Sequence, residues 1–425
     1  MGNDAKVRRL PVISESRGGD GAHRLPLAAD SRPIDRARRP RVAVWELTLR
    51  CNLSCIHCGS RAGRPRSDEL STEECLGVVD QLAALSVLEV SLIGGEAHLH
   101  PGFLEIVRAL TAHGIEVGMT TGGRGIDREL AQKAADAGIA SVSVSLDGLA
   151  PTHDGLRGLE GSFREALAAI AAFQSVGVHV AVNTQINRAN QTELEPLLET
   201  LIEARARAWQ VALTVAMGRA ADRPELLLQP YDLLALFPRL AQVKRRCDEA
   251  SVLFWPGNNI GYFGPYEHVF RGQMPLGHCY SCGAGLSTLG IEADGTVKGC
   301  PSLPTEAWAG GNLREHSLVE IWERAQALRY TRDRGLDDLW GFCRSCYYAD
   351  ECRGGCTWTA FSLFGRAGNN PFCHHRALEL ARRGQRERLE RVAAAPGKPF
   401  DIAEFRLVVE PLSTDTPTSI HQSLP

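Results

Sequence analysis

Six short β-rich runs, at residues 42–49, 88–93, 115–120, 140–146, 178–184 and 209–215, alternate with helical patterns. No other feature constrains the fold as much. Strands separated by helices need a parallel sheet with right-handed crossovers. Eight such units close a full barrel, so six specify an α/β fold built as a partial, open (β/α)6 barrel of the TIM type. In such barrels the chemistry sits in the loops leaving the strand C-termini. Helix signals fit the alternation. Ser71-Thr72-Glu73-Glu74 reads as a capping box, and the pattern over 101–113 stops at Gly114. Further helices are expected near 127–137, 163–176 and 192–207.

The remaining chain divides by composition. Residues 1–41 are rich in Arg, Pro, Gly and Asp without periodicity and read as a flexible leader. The barrel is expected over 42–224, and a connector with a helix near 230–248 over 225–277. A small cysteine-rich domain with β-hairpins follows over 278–376, then a C-terminal basic helix near 376–393 and a polar tail within 377–425. Asp294-Gly295 reads as a hairpin turn.

Hydrophobic residues make up 44% of the 425 and charged ones 23%, the balance of a globular chain with a sizeable core. The formal net charge of −3 supplies no basic field for nucleic acid. The most apolar stretch, 166–182, is interrupted by Gln174, Ser175 and His179, so no membrane span is expected. The first twenty residues lack an apolar secretory segment, and Lys6 stands where a myristoylation signal has Ser or Thr. A cytoplasmic location is expected. Thirteen cysteines in such a chain argue for metal binding rather than a disulfide framework.

Three of them, Cys51, Cys55 and Cys58, follow the first strand with spacing C-x3-C-x2-C. Three thiolates in one tight loop can hold three irons of a [4Fe–4S] cube and leave one iron open to a small molecule. A zinc knuckle completed by His57 or a distant ligand is the alternative, but a structural zinc site closes with four protein ligands. After the second strand comes Ile93-Gly94-Gly95-Glu96, and after the third Thr120-Thr121-Gly122-Gly123. After the fourth comes Ser145-Leu146-Asp147-Gly148, with His153, Asp154 and Arg157 beyond it.

In this order the motifs resemble the radical S-adenosylmethionine (SAM) superfamily. The resemblance implies that SAM chelates the open iron and is reduced to methionine and a 5′-deoxyadenosyl radical. That radical abstracts hydrogen from a substrate. It also implies that Gly94, Gly95 and Glu96 meet the SAM amino group and that Ser145 and Arg157 hold its carboxylate. Asn183 is a candidate ribose or methionine contact. His57 stands where the family usually has an aromatic ring against the adenine, and Ala97 where Pro often follows. No residue is assigned a catalytic acid or base role.

Eight further cysteines fall at Cys279-x2-Cys282, Cys300, Cys343-x2-Cys346-x5-Cys352-x3-Cys356 and Cys373. Eight thiols suffice for two closed four-cysteine sites. Their spacing resembles the SPASM domain of radical SAM enzymes. It implies two auxiliary [4Fe–4S] clusters, one on Cys279, Cys282, Cys300 and Cys356, the other on Cys343, Cys346, Cys352 and Cys373. Three [4Fe–4S] clusters and SAM are therefore the expected cofactors. Cys279 stands closer to Cys282 than is usual in the family. Cys75 and Cys247 lie in helical patterns and read as small buried hydrophobes.

SPASM enzymes mostly modify a ribosomally made peptide or protein, which is the expected substrate here. A separate leader-recognition protein and an electron donor such as flavodoxin or ferredoxin are the implied partners. Sulfatase-maturing relatives carry an Asp directly after the cysteine matching Cys300. Pro301 stands there, which argues against formylglycine formation. The stretch 258–267, mixing glycines, amides and aromatics, reads equally as a peptide-contacting loop or a structural cap. The alternatives are a radical SAM oxidoreductase acting on a small molecule or cofactor precursor, a zinc-ribbon nucleic-acid module, and a non-catalytic electron-transfer scaffold.

Overall fold

The computed structural model describes residues 27–273, 276–278 and 282–412. The six expected strands form as β1 Val42–Thr48, β2 Glu89–Gly94, β3 Glu116–Thr121, β4 Ile139–Ser145, β5 His179–Ile186 and β6 Ala208–Leu213. Each pairs in parallel with the next. The helices between them are α1 Thr72–Ala84, α2 Phe103–Ala112, α3 Arg128–Ala137, α4 Ala150–Arg157, α5 Ser162–Ser175 and α6 Leu194–Glu203. Ser71 caps α1 in the expected box with Glu74. The eight-residue α4 was not anticipated. Alternate residues of each strand face the helices: Ala43, Trp45 and Leu47 of β1 share one core with Val78, Val79 and Leu82 of α1.

The opposite strand face carries small side chains. Ser91, Ser141, Ser143, Ala181, Asn183 and Ala212 are only half-buried. A closed barrel fills its interior with bulky layers. These residues leave room instead.

The sheet outgrows its expected limits. A seventh strand, β7 Leu253–Pro256, follows α7 Leu233–Glu249 and pairs in parallel with β6, so the segment expected as a connector extends the barrel. On the other side β8 Thr288–Ile291, from the cysteine-rich region, pairs in parallel with β1. The Asp294-Gly295 turn joins β8 to antiparallel β9 Thr296–Lys298, which continues to β10 Gly311–Asn312. The ten-stranded order is β10-β9-β8-β1-β2-β3-β4-β5-β6-β7, with β10 and β7 as edges.

Two terminal expectations are corrected. Within the expected flexible leader, residues 1–26 lie outside the described residues, but 27–41 dock on the molecule. A short helix over Pro33–Ala37 buries Asp35, which lies 2.9 Å from Arg329 and 3.1 Å from Arg332. The expected basic helix near 376–393 is half helix and half strand. Helix α8 His374–Arg382 ends before Gly384, whose φ is +69°. Strand β11 Gln385–Ala393 then pairs antiparallel with β12 Glu404–Pro411. Residues 413–425 of the expected polar tail lie outside the described residues. Among the described residues no helix is long and apolar enough to cross a membrane.

Candidate radical SAM site and auxiliary cysteine sites

The loop after β1 brings Cys51, Cys55 and Cys58 together as free thiols. Its backbone is held from both sides. Ser54 and Ile56 N–H donate to the carbonyls of Arg157 and Leu156 at the end of α4 (3.2 and 2.9 Å). Arg219, after β6, donates from Nε to the Cys55 carbonyl and from its backbone N–H to that of Cys58 (2.8 and 2.9 Å). Sequence reasoning missed Arg219. Burial pushes the Cys51 thiol up to about 12 and raises Cys55 as well, and the neighbouring sulfurs add to both.

The Gly-Gly-Glu turn lies directly against this loop. A Cβ on Gly94, whose φ is +148°, would fall 2.2 Å from the Thr48 carbonyl oxygen. One on Gly95 would fall 2.1 Å from that of Arg50 and 2.8 Å from Cβ of Cys51. Glycine is required at both. Glu96 is buried and accepts from Gly122 N–H (2.7 Å) and from the Thr121 hydroxyl, which ties β2 to β3.

Ser145 and Asn183 meet at the ends of β4 and β5. The Ser145 hydroxyl donates to Asn183 Oδ1, and Asn183 Nδ2 donates to Ser143 Oγ, both at 3.2 Å. Arg157 approaches Cys55 Sγ through Nη1 at 3.6 Å and Asp147 Oδ2 through Nη2 at 2.6 Å. His57 Nε2 lies 3.0 Å from the same Oδ2. Burial alone would raise the Asp147 carboxyl. Arg157 and His57 outweigh it and hold the group below the usual carboxylate range. The sequence motif alone assigns Asp147 no role. Its one sequence signal is its place after a buried strand end, before Gly148. His57 Nδ1 and Arg157 Nε are buried without a protein partner, as polar atoms awaiting a ligand would be.

The other cysteines gather in two places. Cys282, Cys300 and Cys356 lie near enough that the charge of each would raise another, and burial pushes Cys300 up to about 12. Cys343, Cys346, Cys352 and Cys373 line one small cavity, partly open to solvent, with Tyr262, Phe263 and Tyr348. Burial holds Cys373 at about 12. Cys279 lies outside the described residues. Among the described residues no His, Cys, Asp and Glu side chains group tightly enough to hold a single metal ion. All-thiol donor sets suit a cluster, in which each thiolate takes its own iron. Cys75 and Cys247 are buried in α1 and α7, as expected.

Part of the 258–267 loop is scaffolding. Tyr262 is buried, accepts from Cys356 N–H at 3.0 Å, and Phe263 stacks on Tyr348 with centroids 4.4 Å apart. Asn259 bonds both backbone groups of Leu213 on β6.

Family models agree with this arrangement. Residues 45–201 match the radical SAM superfamily, and residues 282–347 match SPASM, an iron-sulfur cluster-binding domain. The chain is 31% identical over 360 residues to the AdoMet-dependent heme synthase of Methanosarcina barkeri, covering 81% of this chain and 99% of that protein. The chain belongs to the radical SAM superfamily. Mycofactocin maturase MftC of Mycobacterium ulcerans is 31% identical over 321 residues, covering 75% of this chain and 83% of MftC. PqqA peptide cyclase of Rhizobium meliloti is 28% identical over 357 residues, 81% and 90% of the two chains. The solved structure of anSMEcpe with bound AdoMet shares the fold of this radical SAM enzyme. Its TM-score is 0.65 at 18% identity, over 80% of this chain and 95% of that one.

Proposed function

We propose that this radical SAM enzyme is a SPASM maturase that modifies a ribosomally made peptide or protein. Cys51, Cys55 and Cys58 would hold a [4Fe–4S] cluster with one open iron. When bound, that cluster supplies one electron to SAM, whose sulfur–C5′ bond breaks to give methionine and a 5′-deoxyadenosyl radical that takes a hydrogen from the substrate. The chain's own residues bind and orient. Gly94 and Gly95 keep β2 close to the cysteines, Glu96 offers a carboxylate for the SAM amino group, and Ser145, Asn183 and Arg157 offer donors for its carboxylate and ribose. Two auxiliary clusters, on Cys282, Cys300 and Cys356 with Cys279, and on Cys343, Cys346, Cys352 and Cys373, complete three.

The observation that carries the peptide reading is the inner face of the sheet. Its small, half-buried residues end at an open edge where Leu253 and Trp255 of β7 are 58% and 50% exposed. A long substrate can lie there. The relatedness to PqqA peptide cyclase supports the same class. A separate leader-recognition protein and a flavodoxin- or ferredoxin-type donor remain the proposed partners. The second reading, a small-molecule or cofactor-precursor substrate, is favoured by the alignment along 99% of a heme synthase. The experiment is anaerobic turnover of the reconstituted protein with SAM and reductant. Short peptides encoded beside the gene should raise 5′-deoxyadenosine formation and change mass. A rise only with tetrapyrrole carboxylates would favour the second reading.

A further inference from the structure

The residue before the third cysteine is His57, where an aromatic ring is usual. The structure gives its imidazole a different partner. His57 Nε2 lies 3.0 Å from Asp147 Oδ2, with both side chains buried. Asp147 is fixed through its backbone and Oδ1. Its Oδ1 accepts from Gln185 N–H at 2.8 Å, its own N–H donates to His153 Nδ1 at 3.0 Å, and its carbonyl accepts from Asn190 Nδ2 at 2.9 Å. The oxygen that meets His57 also meets Arg157 Nη2 at 2.6 Å, and Arg157 Nη1 reaches Cys55 Sγ.

We propose that Asp147 is a positioning residue and His57 its clasp. One buried carboxylate ties the cysteine loop to the end of β4 and at the same time aims the Arg157 guanidinium at Cys55. The inference rests on the cluster assignment made above for Cys51, Cys55 and Cys58. Three features support it. The carboxylate is wholly buried, so its ion pair with Arg157 and its contact with His57 are screened little by solvent. A planar guanidinium held at one nitrogen by a carboxylate keeps its others in fixed directions. Arg157 Nε and His57 Nδ1 are left without protein partners beside the thiols, so the clasp leaves ligand-facing capacity unspent.

The clasp and a stacking role for His57 predict opposite results for two substitutions in the reconstituted full chain. His57→Gln keeps an N–H donor at nearly the same reach but has no ring. His57→Phe keeps a ring but cannot pair with Asp147. Iron content, SAM dissociation constant and the EPR spectrum of the reduced cluster are measured for each. The clasp expects Phe to bind SAM roughly tenfold more weakly than Gln does, with the altered spectrum in Phe alone. The reverse order overturns the proposal, and so does wild-type behaviour of both.

If both variants weaken, the Asp147→Asn, Arg157→Met cycle decides. Single losses that do not add in the double variant support action through Arg157, and additive losses overturn it. Wild-type protein that binds no cluster on the three thiols sinks the underlying assignment instead. That result is distinct, because it appears before any substitution at 57 or 147.

Discussion

Asp401 Oδ1 lies 2.8 Å from Nε of Arg61, 340 residues earlier in the chain. Arg61 follows the third cysteine by three residues, and its N–H donates to the Cys58 carbonyl at 3.4 Å. The loop joining β11 to β12 therefore straps the cysteine loop. Ile402 bridges Met217, the Asp401 carbonyl accepts from Gly218 N–H at 2.8 Å, and Phe400 buries its ring 4.0 Å from Lys298 Nζ. Phe400 holds a φ of +56°, a strained value for a bulky residue.

Asp401→Ala should release this strap. Arg61 keeps its second partner, Asp222, so the expected cost is modest, about 1–3 kcal/mol. Denaturant unfolding measures it. Proteolysis at the exposed stretch 396–399 should also quicken. An unchanged midpoint together with an unchanged cleavage rate would mean that the strap contributes nothing to holding this end of the barrel.

Glu46 of β1 and Glu292 beyond β8 are both buried beside Arg66 and Lys298. Burial and the Glu292 charge push the Glu46 carboxyl well above its ordinary value, whereas Lys298 and Arg66 outweigh burial at Glu292 and lower that group. The folded chain thus keeps a proton on Glu46 that the unfolded chain releases in the ordinary carboxylate range. Stability from this group is full at low pH and is lost as pH rises above that range. Glu46→Gln should remove the loss. Its stability relative to wild type should be greater at about pH 9 than at about pH 5. A difference that is flat with pH would put Glu46 in its ordinary ionised state.

Legibility in the sequence followed the range of the interactions. Alternation such as Ala43, Trp45, Leu47 and turns such as Gly94-Gly95 are local, so strands, cysteine loop and turn could be placed from the chain alone. The run Gln385–Ala393 is rich in Arg and Glu, good helix formers, yet it pairs with Glu404–Pro411 as a strand. There tertiary pairing overrides propensity. Asp35 is held by Arg32 three residues earlier but also by two arginines nearly 300 residues away, and Asp147 by partners from the cysteine loop and α4. No spacing rule joins such positions. Strand β7 is four residues long and ends in Pro256, too short for its period to show.

Replacing Cys51, Cys55 and Cys58 together with Ala should abolish 5′-deoxyadenosine formation. Iron should fall from roughly twelve to roughly eight per chain, because the auxiliary thiols remain. The change removes buried sulfurs without opening any ion pair, so the barrel should still fold. SAM cleavage that survives in this variant would move the radical chemistry away from the loop after β1.

Cys352 and Cys356 stand four residues apart, yet they belong to different thiol groups. Cys352 lines the cavity with Cys343, Cys346 and Cys373, whereas Cys356 is buried near Cys282 and Cys300, its N–H donating to the Tyr262 hydroxyl. The left-handed turn between them makes this geometry possible: Arg353, Gly354 and Gly355 all have positive φ. Three successive residues in that region turn the chain sharply between the two cysteines. Cys352→Ala and Cys356→Ala should each cost about one cluster, roughly four irons, and the double variant about two. Iron and sulfide analysis of the three purified proteins checks this. A double variant that loses no more iron than either single one would put both cysteines on the same cluster.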